Sequence, residues 1–280
     1  MKKVGLVIGG GGSKTIAFLG IAEVLQENNI PFHHLVTSSM GSLLGILLAN
    51  HVSAKDIKHA FMEKCRYRDW LRPSISKLGL FSQSRVRRIL NELLPISKLE
   101  ESEIPITIVG SNLNRVTEHL FTDGDAVTAV CASCAYPMLY KPVIIDGREM
   151  IADGGILNNV PADICRNIVG SDGFVITMTA SSPFDTSLES LNKRRELVHR
   201  IIYGPLEIQR ERITEQYSDI VIRPFENHSF CYRTWKKLFN FFDVKQLEEY
   251  YEIGKEKGKE AAKEILEMLK TNSDSTEANS

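Results

Sequence analysis

Three short stretches carry residue types that together could cleave an ester: Gly9-Gly10-Gly11-Gly12-Ser13-Lys14, Thr37-Ser38-Ser39-Met40-Gly41 and Asp153-Gly154-Gly155. A serine hydroxyl is a weak nucleophile until a base takes its proton. Ser39 lies between an apolar strand-like run and the apolar segment Ser42 to Ala49, the setting of a nucleophile elbow, and Gly41 stands two residues on. Ser38 competes in the same turn, but the residue two positions after it is the bulky Met40. Asp153 is the candidate base; a free aspartate has a pKa of about 3.9, and partial desolvation raises it toward a useful range. The backbone N–H groups of Gly10, Gly11, Gly12 and Ser13, with the charge of Lys14 beside them, could hold a developing oxyanion. Each stretch alone also reads as an ordinary turn, Asp-Gly being a common one. The assignment rests on their order and on where each falls relative to strands and helices.

A phosphate-binding loop is the competing reading of the glycines. Neither G-x-x-x-x-G-K-[ST] nor G-x-G-x-x-G with a following acidic partner is present. The seven histidines, His33, His34, His51, His59, His119, His199 and His228, have no triad context. Only His199 and His228 come late enough for an α/β-hydrolase order, so a Ser-Asp pair is the simpler reading.

These residues need elements to hold them. Val4 to Ile8 reads as a buried strand entering the glycine loop, and Ile16 to Glu27 has helical spacing. Ile30 to Val36 approaches the elbow as a second strand. The run Ser42 to Ala49 is apolar on every side, as a buried central helix is. Helices are expected over Ala54 to Cys65, Ser84 to Leu94 and Val127 to Ala135, and strands over Ile104 to Ser111 and Glu118 to Phe121. Val143 to Ile145 and Glu149 to Ile151 flank Asp146-Gly147 as a hairpin. Further strands fall at Gly173 to Met178 and Ile220 to Arg223, with helices over Glu189 to Glu215 and Val244 to Leu269. Asp69 to Phe81 reads as an irregular surface excursion, and residues 271–280 as a disordered polar tail after a single domain spanning 1–270. Strands alternating with helices predict an α/β fold, a three-layer α/β/α sandwich with a mostly parallel central sheet. In such sheets ligands bind beyond the carboxyl ends of strands, where both the glycine loop and Ser39 fall.

Bulk properties narrow the class further. The chain has 280 residues, 43% hydrophobic and 25% charged, with a formal net charge of -1, so nothing in the totals points to nucleic acid. Five scattered cysteines do not suggest a disulfide framework and fit a reducing, cytoplasmic compartment. Cys131 and Cys134 form a C-x-x-C without a second ligand pair, so they read as small buried residues. The apolar run after Lys2 and Lys3 is too short for a signal peptide. The segment Tyr232-Arg-Thr-Trp-Lys-Lys-Leu-Phe-Asn-Phe-Phe242 is aromatic and basic, as peripheral membrane contacts are, but a core-packing segment with a basic edge is the preferred reading. Oligomeric state is not legible.

Taken together, the three motifs resemble the patatin-like phospholipase family, whose pattern is a G-G-G-x-[RK]-G loop, a G-x-S-x-G elbow and a D-G-[GA] aspartate. Cys131-Ala-Ser-Cys-Ala-Tyr-Pro137 and Asp153-Gly-Gly-Ile-Leu-Asn-Asn-Val-Pro161 are similar to family segments as well. The resemblance implies an α/β/α sandwich and hydrolysis of lipid acyl esters. It implies a Ser39–Asp153 dyad that needs neither histidine, metal nor cofactor. An acyltransferase on the same dyad and a non-catalytic lipid-binding protein are the alternatives. Thr15 and Thr37 stand where the family has glycine. If those positions demand glycine geometry, the branched threonines predict a distorted or narrowed site; if the elbow glycine serves packing rather than φ, a threonine is tolerable.

Overall fold

The computed structural model describes residues 2–64, 73–74, 78–181, 194–227 and 244–277. The segment 232–242, singled out for membrane contact, lies outside them.

Eight strands form one sheet: β1 (Val4–Ile8), β2 (His34–Ser38), β4 (Ile106–Asn112), β5 (Thr117–Phe121), β7 (Val143–Ile145), β8 (Glu149–Asp153), β9 (Phe174–Met178) and β10 (Ile220–Ile222). The order is β10-β9-β1-β2-β4-β8-β7, with β5 also paired to β4. The first five strands in that order run parallel, and β8, β7 and β5 are antiparallel additions at one side. A mostly parallel sheet must be covered on both faces, which is why β1 and β9 are nearly continuous apolar runs and four of the five residues of β2 are buried.

Alternation along the strands sorts side chains into two cores. Leu6, Ile8, Leu35, Ile108 and Ile176 enter the larger core, with helices α1 (Ile16–Glu27), α2 (Met40–Ala49), α5 (Ala126–Ser133) and α8 (Val244–Glu277). Val7, Val36, Val109 and Val175 face the other way, onto α6 (Ala162–Val169) and Tyr217 of α7 (Arg194–Tyr217). The result is the α/β/α layering expected from the alternation of elements. Helices α3 (Ala54–Lys64) and α4 (Ser84–Leu93) flank the larger core through Ile57, Phe61, Val86 and Leu90.

All ten residues of α2 are buried, which explains an element with no polar face. Burying each of its leucines contributes about 2 kcal/mol. The hairpin between β7 and β8 forms as expected, with Asp146 at φ 52° and Gly147 at φ 68° supplying the turn.

Three elements differ from the pattern reading. Gly79–Phe81 is not irregular: it is strand β3, paired in parallel with β6 (Met138–Tyr140) as a separate two-stranded sheet. Helix α6 occupies a stretch that the pattern reading leaves unassigned. Helix α8 continues to Glu277, so the expected disordered tail is helical over 271–277.

The sheet register brings two distant chain segments together. One edge of β4 is shared. Ile106 to Val109 pair with β2, ending at Ser38 opposite Val109. From Gly110 onward that edge takes β8, with Asp153 opposite Gly110. The carboxyl ends of β2 and β8 therefore meet head to head, one residue apart on β4.

Candidate active site

Ser39 follows Ser38 at the end of β2 and is the N-cap of α2. Its backbone is at φ 52° and ψ −134°, a region L-residues rarely occupy and which costs on the order of 1–3 kcal/mol. Surrounding groups hold it there. The Ser39 N–H donates to Ser133 Oγ at 2.8 Å, and its carbonyl accepts from Ser42 N at 2.8 Å and from the Cys134 thiol at 3.0 Å. Gly41 allows the close fit, since a Cβ there would stand 2.3 Å from Ile8 O and 2.6 Å from Gly9 O. The elbow thus lies directly against the end of β1, where the glycine loop begins.

The Ser39 hydroxyl points at the other strand end. Its Oγ donates to Asp153 Oδ2 at 2.7 Å across 114 residues of sequence. The second oxygen, Oδ1, accepts from Gly155 N at 2.8 Å. Asp153 is only 3% exposed, and burial raises its pKa to about 6. The Ser39 hydroxyl, the Gly155 N–H and the Arg210 charge each pull the value down, but less strongly. No further base is needed for the contact. Of the histidines, His33 accepts from Val4 N, His34 bonds Thr107 Oγ1 at 2.9 Å, and His119 lies edge-on to Phe121. The side chains of His199 and His228 lie outside the description.

The glycine loop runs beside this pair. A Cβ on Gly10 would be 2.8 Å from Ser39 Cβ, so only glycine lets the backbone pass so near. Its N–H, however, donates to Asn159 O at 3.0 Å. Gly10 is therefore corrected as an oxyanion donor, because its amide already has a partner in the fold. The candidates narrow to the amides of Gly11, Gly12 and Ser13, where Gly12 supplies the positive φ of 59° that starts a short 3-10 turn. Lys14 Nζ donates to Ala180 O at 3.4 Å and lies 5.4 Å from the Phe225 ring centre. A cavity of about 200 Å³ lies alongside, its lining including Gly10, Gly11 and Lys14 of the loop and Glu207, Arg210 and Thr214 of α7. Neither Ser39 nor Asp153 lines it.

The two threonines do not distort the site. Thr15 has helical torsions, φ −62° and ψ −13°, and its hydroxyl donates to Gly12 O at 2.7 Å. Thr37 is an ordinary strand residue, fully buried, whose methyl sits where Gly45 leaves space. Its hydroxyl begins a chain of bonds: Thr37 Oγ1 donates to Ser42 Oγ, Ser42 contacts Ser133 Oγ at 2.9 Å, and Ser133 donates to Val109 O at 2.6 Å. Neither position requires positive φ, so the condition for distortion is not met.

Sequence reasoning did not single out Ser133 or Asn159, and it read Cys134 only as a small buried residue. Ser133 and Cys134 come from the end of α5 and support the elbow. Asn159 staples the glycine loop: its backbone carbonyl accepts from Gly10 N, and its side-chain Nδ2 donates to Gly10 O at 3.2 Å. The signal was there in the Cys131–Pro137 and Asp153–Pro161 segments, each read as a motif rather than residue by residue.

The patatin-like phospholipase family model matches residues 6–166, more than half of the chain, and includes the glycine loop, the elbow and the aspartate. The chain belongs to this family. Among curated relatives, patatin-like phospholipase domain-containing protein 6 of Mus musculus is 24% identical over 99% of this chain and 22% of its own length. The Caenorhabditis elegans patatin-like phospholipase domain-containing protein ZK370.4 is 24% identical over 94% of this chain and 21% of its own. An uncharacterized NTE family protein of Mycobacterium bovis is 30% identical over 57% of this chain and 44% of its own. The chain thus spans about a fifth of the two longer relatives. The crystal structure of VipD from Legionella pneumophila shares the fold, with a TM-score of 0.50 at 16% identity over 94% of this chain and 67% of that one. Among the described residues no helix is long and apolar enough to cross a membrane.

Proposed function

We propose that this chain is a serine acyl hydrolase acting on phospholipids or other lipid esters, with Ser39 as nucleophile and Asp153 as base. The observation that carries the reading is the 2.7 Å bond from Ser39 Oγ to Asp153 Oδ2, made by a serine in a strained elbow at a strand end. Membership of a phospholipase family supports the lipid ester as substrate class.

In this reading the ionised Asp153 takes the hydroxyl proton as Ser39 Oγ attacks the ester carbonyl. The carbonyl oxygen becomes an oxyanion, for which the Gly11, Gly12 and Ser13 amides are the candidate loop donors. Collapse of the tetrahedral intermediate breaks the ester C–O bond, and the departing alcohol oxygen takes the proton from Asp153. A water molecule then gives its proton to Asp153 and attacks acyl-Ser39. Collapse of the second intermediate releases the carboxylic acid and returns the proton to Ser39. Burial matched to this task holds Asp153 near pH 6, where it is a better base than a free aspartate yet still ionised at neutral pH.

Turnover of a lipid ester by wild type is expected to fall about a thousandfold or more in Ser39→Ala and in Asp153→Asn, with folding intact by circular dichroism. A fluorophosphonate probe should label wild type at Ser39. Unlabelled, folded wild-type protein would overturn the reading in favour of a non-catalytic lipid-binding protein.

A further inference from the structure

The turn that carries Asp153 is tied to a helix far away in sequence. Arg210 of α7 donates from Nη2 to Gly155 O at 2.5 Å, across 55 residues, and from Nη1 to Glu207 Oε1 at 2.6 Å. Gly155 is therefore bonded on both sides of its Cα: its N–H to Asp153 Oδ1 and its carbonyl to Arg210. A glycine has no Cβ to limit its torsions, so the aim of its N–H must be fixed by its neighbours. No larger residue could do this locally. A Cβ at position 155 would lie 2.6 Å from Asn159 Oδ1 and 2.9 Å from Asp153 Oδ1.

We propose that Arg210 is a positioning residue for the reaction at Ser39: it pins the Gly155 carbonyl, so that the Gly155 N–H orients the Asp153 carboxylate, and it sets its positive charge toward that carboxylate. The inference rests on the reading of Asp153 as the base.

The surroundings isolate this role. Asp153 faces the Ser39 hydroxyl from the elbow, the Gly155 N–H from its own turn, the Cys134 thiol from α5 and the Arg210 charge from α7. Burial holds the Cys134 thiol well above its ordinary value, so it stays neutral while Asp153 titrates. On the other side, Arg210 is paired with Glu207 and shares its cavity with Lys14 and Glu211, the latter engaged by Arg223. Arg210 thus opposes the effect of burial on Asp153, and Glu207 moderates Arg210.

The test is steady-state hydrolysis of a soluble p-nitrophenyl acyl ester by the full chain from pH 5 to 9. Wild-type kcat/KM should fall on the acid side near pH 6. In Arg210→Met the acid limb should move to higher pH and kcat should drop about tenfold, with KM within about twofold. Arg210→Lys, which keeps the charge and one donor, should return the limb to its wild-type position. Glu207→Gln, at a more exposed residue, should move the limb the opposite way, to lower pH. A purely structural Arg210 would lower thermal stability and leave the limb in place. An unmoved limb and an unchanged kcat in Arg210→Met would overturn the proposal. Should that variant not fold, an unmoved limb in Glu207→Gln would overturn it. Undiminished turnover in Ser39→Ala would instead sink the underlying reading of the dyad.

Discussion

At the elbow, Ser39 is held between two elements made for burial. Strand β2 has four of its five residues buried, and every residue of α2 is buried. Its glycines, Gly41 and Gly45, face Ile8 O and the Thr37 methyl at distances no side chain could share. At the aspartate turn the supports are polar and come from three elements: Gly155 N–H from the turn itself, Asn159 across to the glycine loop, and Arg210 from α7. The elbow adds this close packing to its hydrogen bonds from Ser133, Ser42 and Cys134, whereas the supports that aim the carboxylate at the turn are hydrogen bonds. Packed contacts are stiff and tolerate little change in volume. Hydrogen-bonded supports contribute only about 1 kcal/mol each, yet they set direction and charge. So changes at the elbow should register first as lost stability, and changes at the turn first as altered chemistry.

The comparison breaks most sharply at Gly41. Gly41→Ala should cost about 3 kcal/mol, because the new methyl meets backbone oxygens that cannot give way. Urea unfolding measures this, and a loss under 1 kcal/mol would mean that the elbow is softer than its packing implies.

The next effect has the opposite sign. Burial of Asp153 raises its folded-state pKa from 3.8 to about 6, so the native state binds the proton more tightly than the unfolded chain. Its share of stability is therefore greatest below about pH 4 and is lost as pH rises through about 6. Asp153→Asn removes that loss and should stabilise the protein by on the order of 2–3 kcal/mol at pH 8, while activity disappears. Below pH 4 the two proteins should converge. A variant less stable than wild type at pH 8 would contradict this account.

Smaller still is the coupling between Gly45 and Thr37. Gly45→Ala alone should destabilise by about 1–2 kcal/mol, because its Cβ would stand 2.4 Å from the Thr37 methyl. In a Thr37→Ser background the same change should be neutral or favourable, given the better helix propensity of alanine. A double-mutant cycle with no interaction energy would show that Thr37 is not accommodated by Gly45.

Asn159→Ala gives the smallest stability change, about 1 kcal/mol, since the Asn159 backbone bond to Gly10 remains. Turnover should nonetheless fall about tenfold as the glycine loop loosens beside Ser39. Equal losses in both quantities would erase the distinction between the elbow and the turn.

Much of this was legible in the sequence because the signals are local. Strand β1 running into glycines, the apolar α2 after Ser39 and the Asp146-Gly147 hairpin can each be read within about ten residues. What escaped the reading comes from tertiary contact. Nothing in the type or spacing of Ser133 says that its hydroxyl reaches Ser39 N across 94 residues. Arg210 looks like any charge on a mixed-charge helix until α7 lies against the Asp153 turn. Three-residue strands such as β3 and β6 are too short to show a period. The threonines left two outcomes open for a related reason. A motif glycine can serve conformation or space, and only the neighbour at Gly45 shows that space was what Thr37 needed.

The shared edge of β4 carries a consequence of its own. Ser38 and Asp153 are referenced to adjacent residues, Val109 and Gly110, on a single strand. That strand acts as a ruler whose graduations set the gap between nucleophile and base. A sheet alternates its faces at every step. An insertion of one residue after Val109 would therefore do more than widen the gap. It would invert the pleat of β8 relative to β2 and turn the carboxylate to the opposite side of the sheet, severing the pair without touching either partner.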